Sequence, residues 1–268
     1  MVEAGIAREE GRAEGTIDLN ADAGESFGRY SLGDDAGLMR VVTSVSVACG
    51  WHAGDPGVIR RTIAMARDAG VSVGAHPGYP DLLGFGRREL HMAPDDLRDA
   101  VIYQVSAVAG LAAAEGVRLH HVKAHGALYN MACRDAGLAE AILDAVAAVD
   151  RSLAIYGLPD SALVRAAAAA GLPVMPEGFL DRTYEADGTL TPRTVPGAVI
   201  DDPPAGARRA LDWLRDGYVV ARTGERLALR VAALCVHGDT PGAVPLVTAV
   251  REMLESAGVR VAAGTAAR

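Results

Sequence analysis

The segment DLNADAGE sets Asp18, Asn20 and Asp22 at alternate positions and adds Glu25 after a glycine. In an extended chain the first three share one face. Ionised carboxylates on a buried face need partners, because an unpaired one costs several kcal/mol. Taken singly, each is explained as well by a hydrogen-bond network that anchors a loop. Four further apolar runs end in histidine beside glycine or proline: ACGWHAGDP gives His52 and Asp55, GAHPGYPD gives His76, HVKAHGALYN gives Lys123 and His125, and CVHGDTP gives His237 and Asp239. One histidine near a strand end is generally structural. Four in equivalent places point to proton transfer near neutral pH, with glycines that let a substrate approach closely. The catalytic candidates are therefore Asp18, Asn20, Asp22, Glu25, His52, His76, Lys123, His125 and His237.

Lys123 is the only lysine in a chain that otherwise uses arginine. Two residues from His125, it shares that side chain's face. A lone lysine in such a chain suits a compact ammonium that holds a carboxylate, phosphate or oxyanion, and pairing with the aspartates of DLNAD is compatible with that task. PEGFLDRTY adds Glu177 and Arg182, which join Asp239 as substrate-binding candidates, while Asp181 and Arg193 fit better in an ion-pair frame that fixes the loop. The GFG of DLLGFGRREL lacks the GxxxxGK[ST] pattern, so it too reads as frame, and the chain carries no nucleotide-binding motif of its own. His91, His120 and His121 lack the strand-end context. The last two face opposite ways, so at most one reaches a pocket.

These clusters must be held by elements. TIDLN, SVSVACG, VSVGAH, RLHHVKAH, SLAIYG, LPVMPEG and VAALCVHG are short, apolar and rich in β-branched residues, as buried parallel strands are. Between them lie helical patterns: Asp55 to Gly70, with a cap, a first-turn proline and a closing glycine; Pro94 to Glu115; then around Asp135 to Val149, Ser161 to Ala170, Ala205 to Arg215 and Pro241 to Ala257. The cadence predicts an α/β fold with a parallel sheet and right-handed crossovers. Polar clusters follow nearly every strand, which favours a closed β/α barrel over an open sheet with one switch point. Gly217 to Val231 reads as a small β excursion around a TGE turn. Residues 1–15 read as a mobile N-terminal extension, and residues 16–268 as one barrel domain.

Half of the 268 residues are apolar and the formal charge is −8, with no basic footprint for nucleic acid and no apolar run of bilayer length. The first residues lack the apolar core of a signal peptide. Cys49, Cys133 and Cys235 stand far apart without a CxxC pair, which argues against a disulfide framework and for a reducing, cytoplasmic setting. Cys49 and Cys235, inside apolar runs, read as buried small hydrophobes.

Together, DLNADAGESFG, ACGWHAGDP, GAHPGYPDLLGFGRR, HVKAHGALYN, EGFLDRTY and CVHGDTPGA resemble the motifs of the LamB/YcsF family, the A subunits of 5-oxoprolinases, from about Thr16 to Val261. Ala21, Ala23, Trp51 and Ala124 depart from the usual pattern without removing a polar candidate. The resemblance implies an irregular seven-stranded β/α barrel of the glycoside hydrolase and deacetylase kind. It also implies ATP-dependent opening of the lactam 5-oxo-L-proline to L-glutamate, performed with subunits B and C. ATP is then consumed by the complex, and a divalent metal enters either as magnesium with ATP or as an ion at the site. Association of the chain with its own copies stays open. On this reading Lys123 and Arg182 hold the substrate's carboxylate or phosphate, Asp22 with His125 is the general base, and His52, His76 or His237 protonates the departing nitrogen. A metal-dependent amidase or deacetylase is the alternative, with Asp18 or Asp22, His52 and His76 as ligands. A non-catalytic regulatory subunit is the third.

Overall fold

The computed structural model describes residues 16–200, 202–240 and 242–264, so the extension expected at 1–15 lies outside the described residues. In chain order the first half runs β1 (Thr16–Ala23), α1 (Asp35–Leu38), β2 (Ser44–Ala48), α2 (Pro56–Ala69), β3 (Ser72–His76), α3 (Pro94–Ala114), β4 (His121–Val122), α4 (Gly126–Ala132) and α5 (Ala136–Val149). There follow β5 (Ala154–Gly157), α6 (Ala162–Ala169), β6 (Val174–Phe179), α7 (Pro203–Asp216), β7 (Val219–Val220), β8 (Arg226–Leu227), β9 (Ala233–Val236), α8 (Ala243–Ser256) and β10 (Arg260–Val261). Strands β1-β2-β3-β4-β5-β6-β9 pair in parallel, and β9 returns to pair with β1, closing a seven-stranded barrel; β10 adds to β1 at Thr16 and Ile17. The β excursion expected at Gly217 to Val231 is the short antiparallel pair β7–β8.

Local signals fix the helix ends. Asp55 caps α2, its side chain accepting from the Gly57 and Val58 amides with Pro56 in the first turn, and Gly70 closes the helix at φ 71°. Asp135, Ser161 and Asp202 cap α5, α6 and α7 in the same way. Two helices were absent from the sequence expectation, α1 and α4, both too short to show a period. The segment RLHHVKAH contributes only two strand residues, because Lys123 and His125 already belong to the loop that leaves the barrel.

Register decides what faces inward. Asn20 pairs with Ser44 and Cys235, Asp22 with Ser46, Gly74 with His121, and Phe179 with Cys235. Alternation then puts Asp18, Asn20 and Asp22, with Ser44, Ser46, His121, Tyr156 and Glu177, inside the barrel, all buried. Barrels of this kind generally fill their interior with branched apolar side chains. Here the large apolar cluster lies between strands and helices (Leu19, Val45, Val47, Ile63, Val101, Ile142, Leu234, Val247), while a small one, Ala154, Tyr156, Met175 and Ala233, closes the interior at its N-terminal end. The helices supply the apolar burial, leaving the barrel lumen free to carry polar groups.

Candidate active site

The polar interior is layered. At its closed end Asp18 accepts hydrogen bonds from Thr43 Oγ1, Ser44 Oγ (2.7 Å) and Tyr156 Oη (2.8 Å), and burial raises its pKa against those donors. Both its oxygens are engaged, and it lies four strand residues, about 13 Å, below Asp22. The structure thus separates Asp18 from the pocket and makes it part of the barrel floor, a correction to its place among the candidates. His121 belongs to the floor too, with its Nε2 3.0 Å from Ser46 Oγ and its ring against Tyr156.

In the middle layer the Lys123 ammonium lies 3.0 Å from Asp22 Oδ1, 3.2 Å from Glu177 Oε2, 3.2 Å from Asn20 Oδ1 and 2.9 Å from Cys235 Sγ. Burial alone would lower its pKa, but Asp22, then Cys235 and Glu177, outweigh that and hold it well above the usual lysine range. Burial likewise pushes Asp22 upward, yet His76 and Lys123 hold it well below the usual carboxylate range. Lys123 has three protons and four partners, so none is left for a substrate anion. Asn20 and Glu177 lie beneath it, and neither lines the pocket; burial raises Glu177. Where the sequence expectation had Lys123 and Glu177 bind substrate directly, the structure pairs them with each other, Lys123 being a counter-ion to Asp22 as well.

Above this layer opens a cavity of about 450 Å3 whose walls include Asp22, His76, Lys123, His125, Tyr129, Phe179, Arg87, Arg182, Arg193 and His237. Two walls carry imidazoles. On the first, His76 Nδ1 donates to the Lys123 carbonyl (2.7 Å) and His125 Nε2 donates to the Phe85 carbonyl (2.8 Å). The remaining nitrogens, His76 Nε2 and His125 Nδ1, face each other at 3.0 Å, with Asp22 Oδ2 3.4 Å from the former. In neutral rings both carry lone pairs, an arrangement that calls for a proton or a cation between them. Burial, then the neighbouring His52 and His76, lowers the His125 pKa well below the usual range. The GFG loop is the clamp here, as the frame reading expected. Phe85 takes a positive φ of 54° to present its carbonyl, and a Cβ on Gly86 would lie 2.8 Å from both His125 and His52.

Behind His125 stands His52, stacked on it at 3.7 Å, with both ring nitrogens buried and unpartnered. Glu25 Oε1 lies 3.9 Å from His52 Nε2 and 3.7 Å from His125 Nδ1, and burial, then Asp22, raises its carboxyl well above the usual range. Ligand atoms from Glu25, His52, His76 and His125 all lie within 4.8 Å of one another. The donor set, three imidazoles and a carboxylate, fits a divalent ion of the zinc type. His76 and His125 are each anchored through the other nitrogen to a carbonyl, as metal-ligating histidines usually are. Asp18 is remote from this group, so the ligand set differs from the one expected with Asp18.

On the opposite wall His237 Nδ1 donates to Asp181 (2.9 and 2.8 Å to its two oxygens), while Thr240 Oγ1 and the His237 amide also donate to Asp181 Oδ2. Burial would raise Asp181, but His237 first lowers it, to about 2. An ionised carboxylate thus fixes the ring and leaves Nε2 for the pocket. The ring stacks on Phe179, and a Cβ on Gly238 would lie 2.3 Å from the Asp22 carbonyl, so a glycine there lets the β9 loop run against the end of β1. Sequence reasoning placed Asp181 in the frame; its partner lies 56 residues away, and no spacing signal links them. At the rim, Asp239 pairs with Arg87 (2.8 Å), and Arg182 donates to the Thr191 and Ala198 carbonyls. The three cysteines are buried and unpaired, and no helix among the described residues is long and apolar enough to cross a membrane.

Comparison with known proteins gives a consistent set of likenesses. The model of the LamB/YcsF family matches residues 17–268. The A subunit of the 5-oxoprolinase of Symbiobacterium thermophilum is 53% identical over 92% of this chain and 95% of its own length. The crystal structure of the Lactam Utilization Protein from Thermus thermophilus superposes with a TM-score of 0.88 at 47% identity, covering 93% of this chain and all of that one. The catalytic domain of a peptidoglycan N-acetylglucosamine deacetylase from Eubacterium rectale, 12% identical over 96% of this chain and 91% of its own, shares the fold alone at a TM-score of 0.50.

Proposed function

This chain belongs to the LamB/YcsF family, and on that premise we propose that it is the lactam-opening subunit of a 5-oxoprolinase, hydrolysing 5-oxo-L-proline to L-glutamate at the expense of ATP with partner subunits B and C. The observation that carries this reading is one cavity lined both by Asp22 with His76 and His125 and by His237, which Asp181 orients. Amide hydrolysis needs both. Water adds to the ring carbonyl carbon as its proton passes to the Asp22–His76–His125 side. The C–N bond then breaks as His237, oriented by Asp181, gives a proton to the departing nitrogen. A five-membered lactam is a stable amide, so transfer of the ATP γ-phosphoryl to its carbonyl oxygen through the partners, releasing ADP, makes the water step accessible, and inorganic phosphate leaves as the glutamate carboxylate forms. The test is glutamate release from 5-oxo-L-proline and ATP with the chain alone, the partners alone and all together. Release only from the full set, abolished by His237→Ala in this chain, is expected; full release by the partners alone rules the reading out.

The Glu25, His52, His76 and His125 cluster favours a second reading of the same site, as a metal-assisted amidase. A divalent ion held by these residues would polarise the carbonyl and make bound water more acidic. The chain's own contribution is to supply the four donors in a dry setting and to exclude water behind His52. Elemental analysis of purified protein, with a thermal shift on adding zinc, decides between the two. Stoichiometric metal lost in His52→Ala supports the metal reading, and metal-free protein with full activity in chelator removes it.

A further inference from the structure

If the Lys123 ammonium is saturated by Asp22, Glu177, Asn20 and Cys235, some other cation must meet the negative charge of an anionic ligand in this pocket. Three guanidinium groups line it: Arg87, Arg182 and Arg193. Arg87 is neutralised by Asp239 at 2.8 Å. Arg182 spends Nε and Nη2 on the Ala198 and Thr191 carbonyls, which ties down the loop on either side of Arg193. Arg193 differs from both. Its Nη2 is buried without a hydrogen-bond partner, and among the described residues neither Arg182 nor Arg193 has a carboxylate in ion-pair contact.

We propose that Arg193, with Arg182 as its support, is the oxyanion-binding residue of the pocket, taking the carboxylate of the cyclic amide or the phosphoryl group of its activated form. The inference rests on reading this cavity as the lactam site, but its geometric basis is independent of the reaction. A buried guanidinium N–H without an acceptor is a group whose partner is missing, and planar paired donors match carboxylate and phosphate oxygens. The electrostatics agree. Burial, then Arg193, lowers Arg182 to about 10, and burial, then Arg87, lowers Arg193, so an anion entering between these cations relieves their mutual repulsion. The position agrees as well, since Arg193 lines the same cavity as Asp22, His76, His125 and His237. An anion held there leaves the rest of a small ring between the two walls.

The experiment measures binding to the full chain by calorimetry, using 5-oxo-L-proline, the carboxylate-free 2-pyrrolidinone and inorganic phosphate, for wild type, Arg193→Ala and Arg193→Lys. A loss of about tenfold or more for 5-oxo-L-proline in Arg193→Ala, with 2-pyrrolidinone unchanged and partial recovery in Arg193→Lys, assigns the carboxylate. The same loss confined to phosphate assigns the phosphoryl group. Wild-type affinity for both anions in Arg193→Ala, or no binding of either by wild type, overturns the proposal. Failure of the lactam reading looks different: the full complex would release no glutamate, while Arg193→Ala would still lose phosphate.

Discussion

Lys123 balances two buried acids, Asp22 and Glu177. Removing one partner of such a group costs far more than the group contributes when complete, because charge is left uncompensated. Lys123→Met is expected to destabilise the protein by about 3–5 kcal/mol, read from denaturant unfolding. The double variant Lys123→Met/Glu177→Gln should recover part of that loss, the signature of direct coupling. Asp181 acts through another residue. Asp181→Asn keeps the shape but weakens the acceptor that orients His237, so kcat of the reconstituted system should fall by about 100-fold or more with KM little changed, and the pH profile should shift with it. An unchanged pH profile would reduce Asp181 to scaffolding. Residue types alone singled out His52, His76, His125 and His237 as candidates, and the structure sets His76, His125 and His237 on the cavity wall with His52 stacked behind His125. They did not reveal that Asp18 and Glu177 lie below the pocket, or that Asp181 serves it.

At the scale of elements, glycines decide how closely strands, loops and helices approach. A Cβ on Gly74, in β3, would lie 2.3 Å from the His121 ring that fills the lumen beside it, so Gly74→Ala should cost about 1–3 kcal/mol in urea unfolding. Gly110, within α3, has nothing within 4 Å of the same atom, and Gly110→Ala should stabilise by up to about 1 kcal/mol. Opposite signs from one substitution type test whether the lumen is as tightly filled as described. Helix boundaries were readable where a cap and a stop coincide, as in α2 between Asp55 and Gly70. The short α4 was not, since its seven residues carry too little periodicity, and in place of a side-chain cap the Gly86 carbonyl accepts from the Ala127 amide in its first turn (2.9 Å).

For the molecule as a whole, the charged groups of the lumen make stability depend on pH. Asp181 is held at about 2, below its ordinary value of 3.8. Its ionised form therefore contributes stability in full above about pH 4, worth about 2 kcal/mol, which disappears as pH falls through about 2. Acid unfolding followed by circular dichroism should be less steep between about pH 4 and 2 in Asp181→Asn than in wild type. The sequence by itself determined the alternation of buried strands and capped helices, the closed barrel and the identity of the strand-end clusters, because periodicity, capping and turn chemistry act over a few residues. Only the tertiary structure decided which polar groups meet. Closure through β1 and β9 brings Asn20 beside Cys235 and sets the loop that carries His237 against the Asp22 end of β1. The layering of the lumen then separates floor, counter-ion and pocket, and those are distances across the barrel that no local spacing encodes.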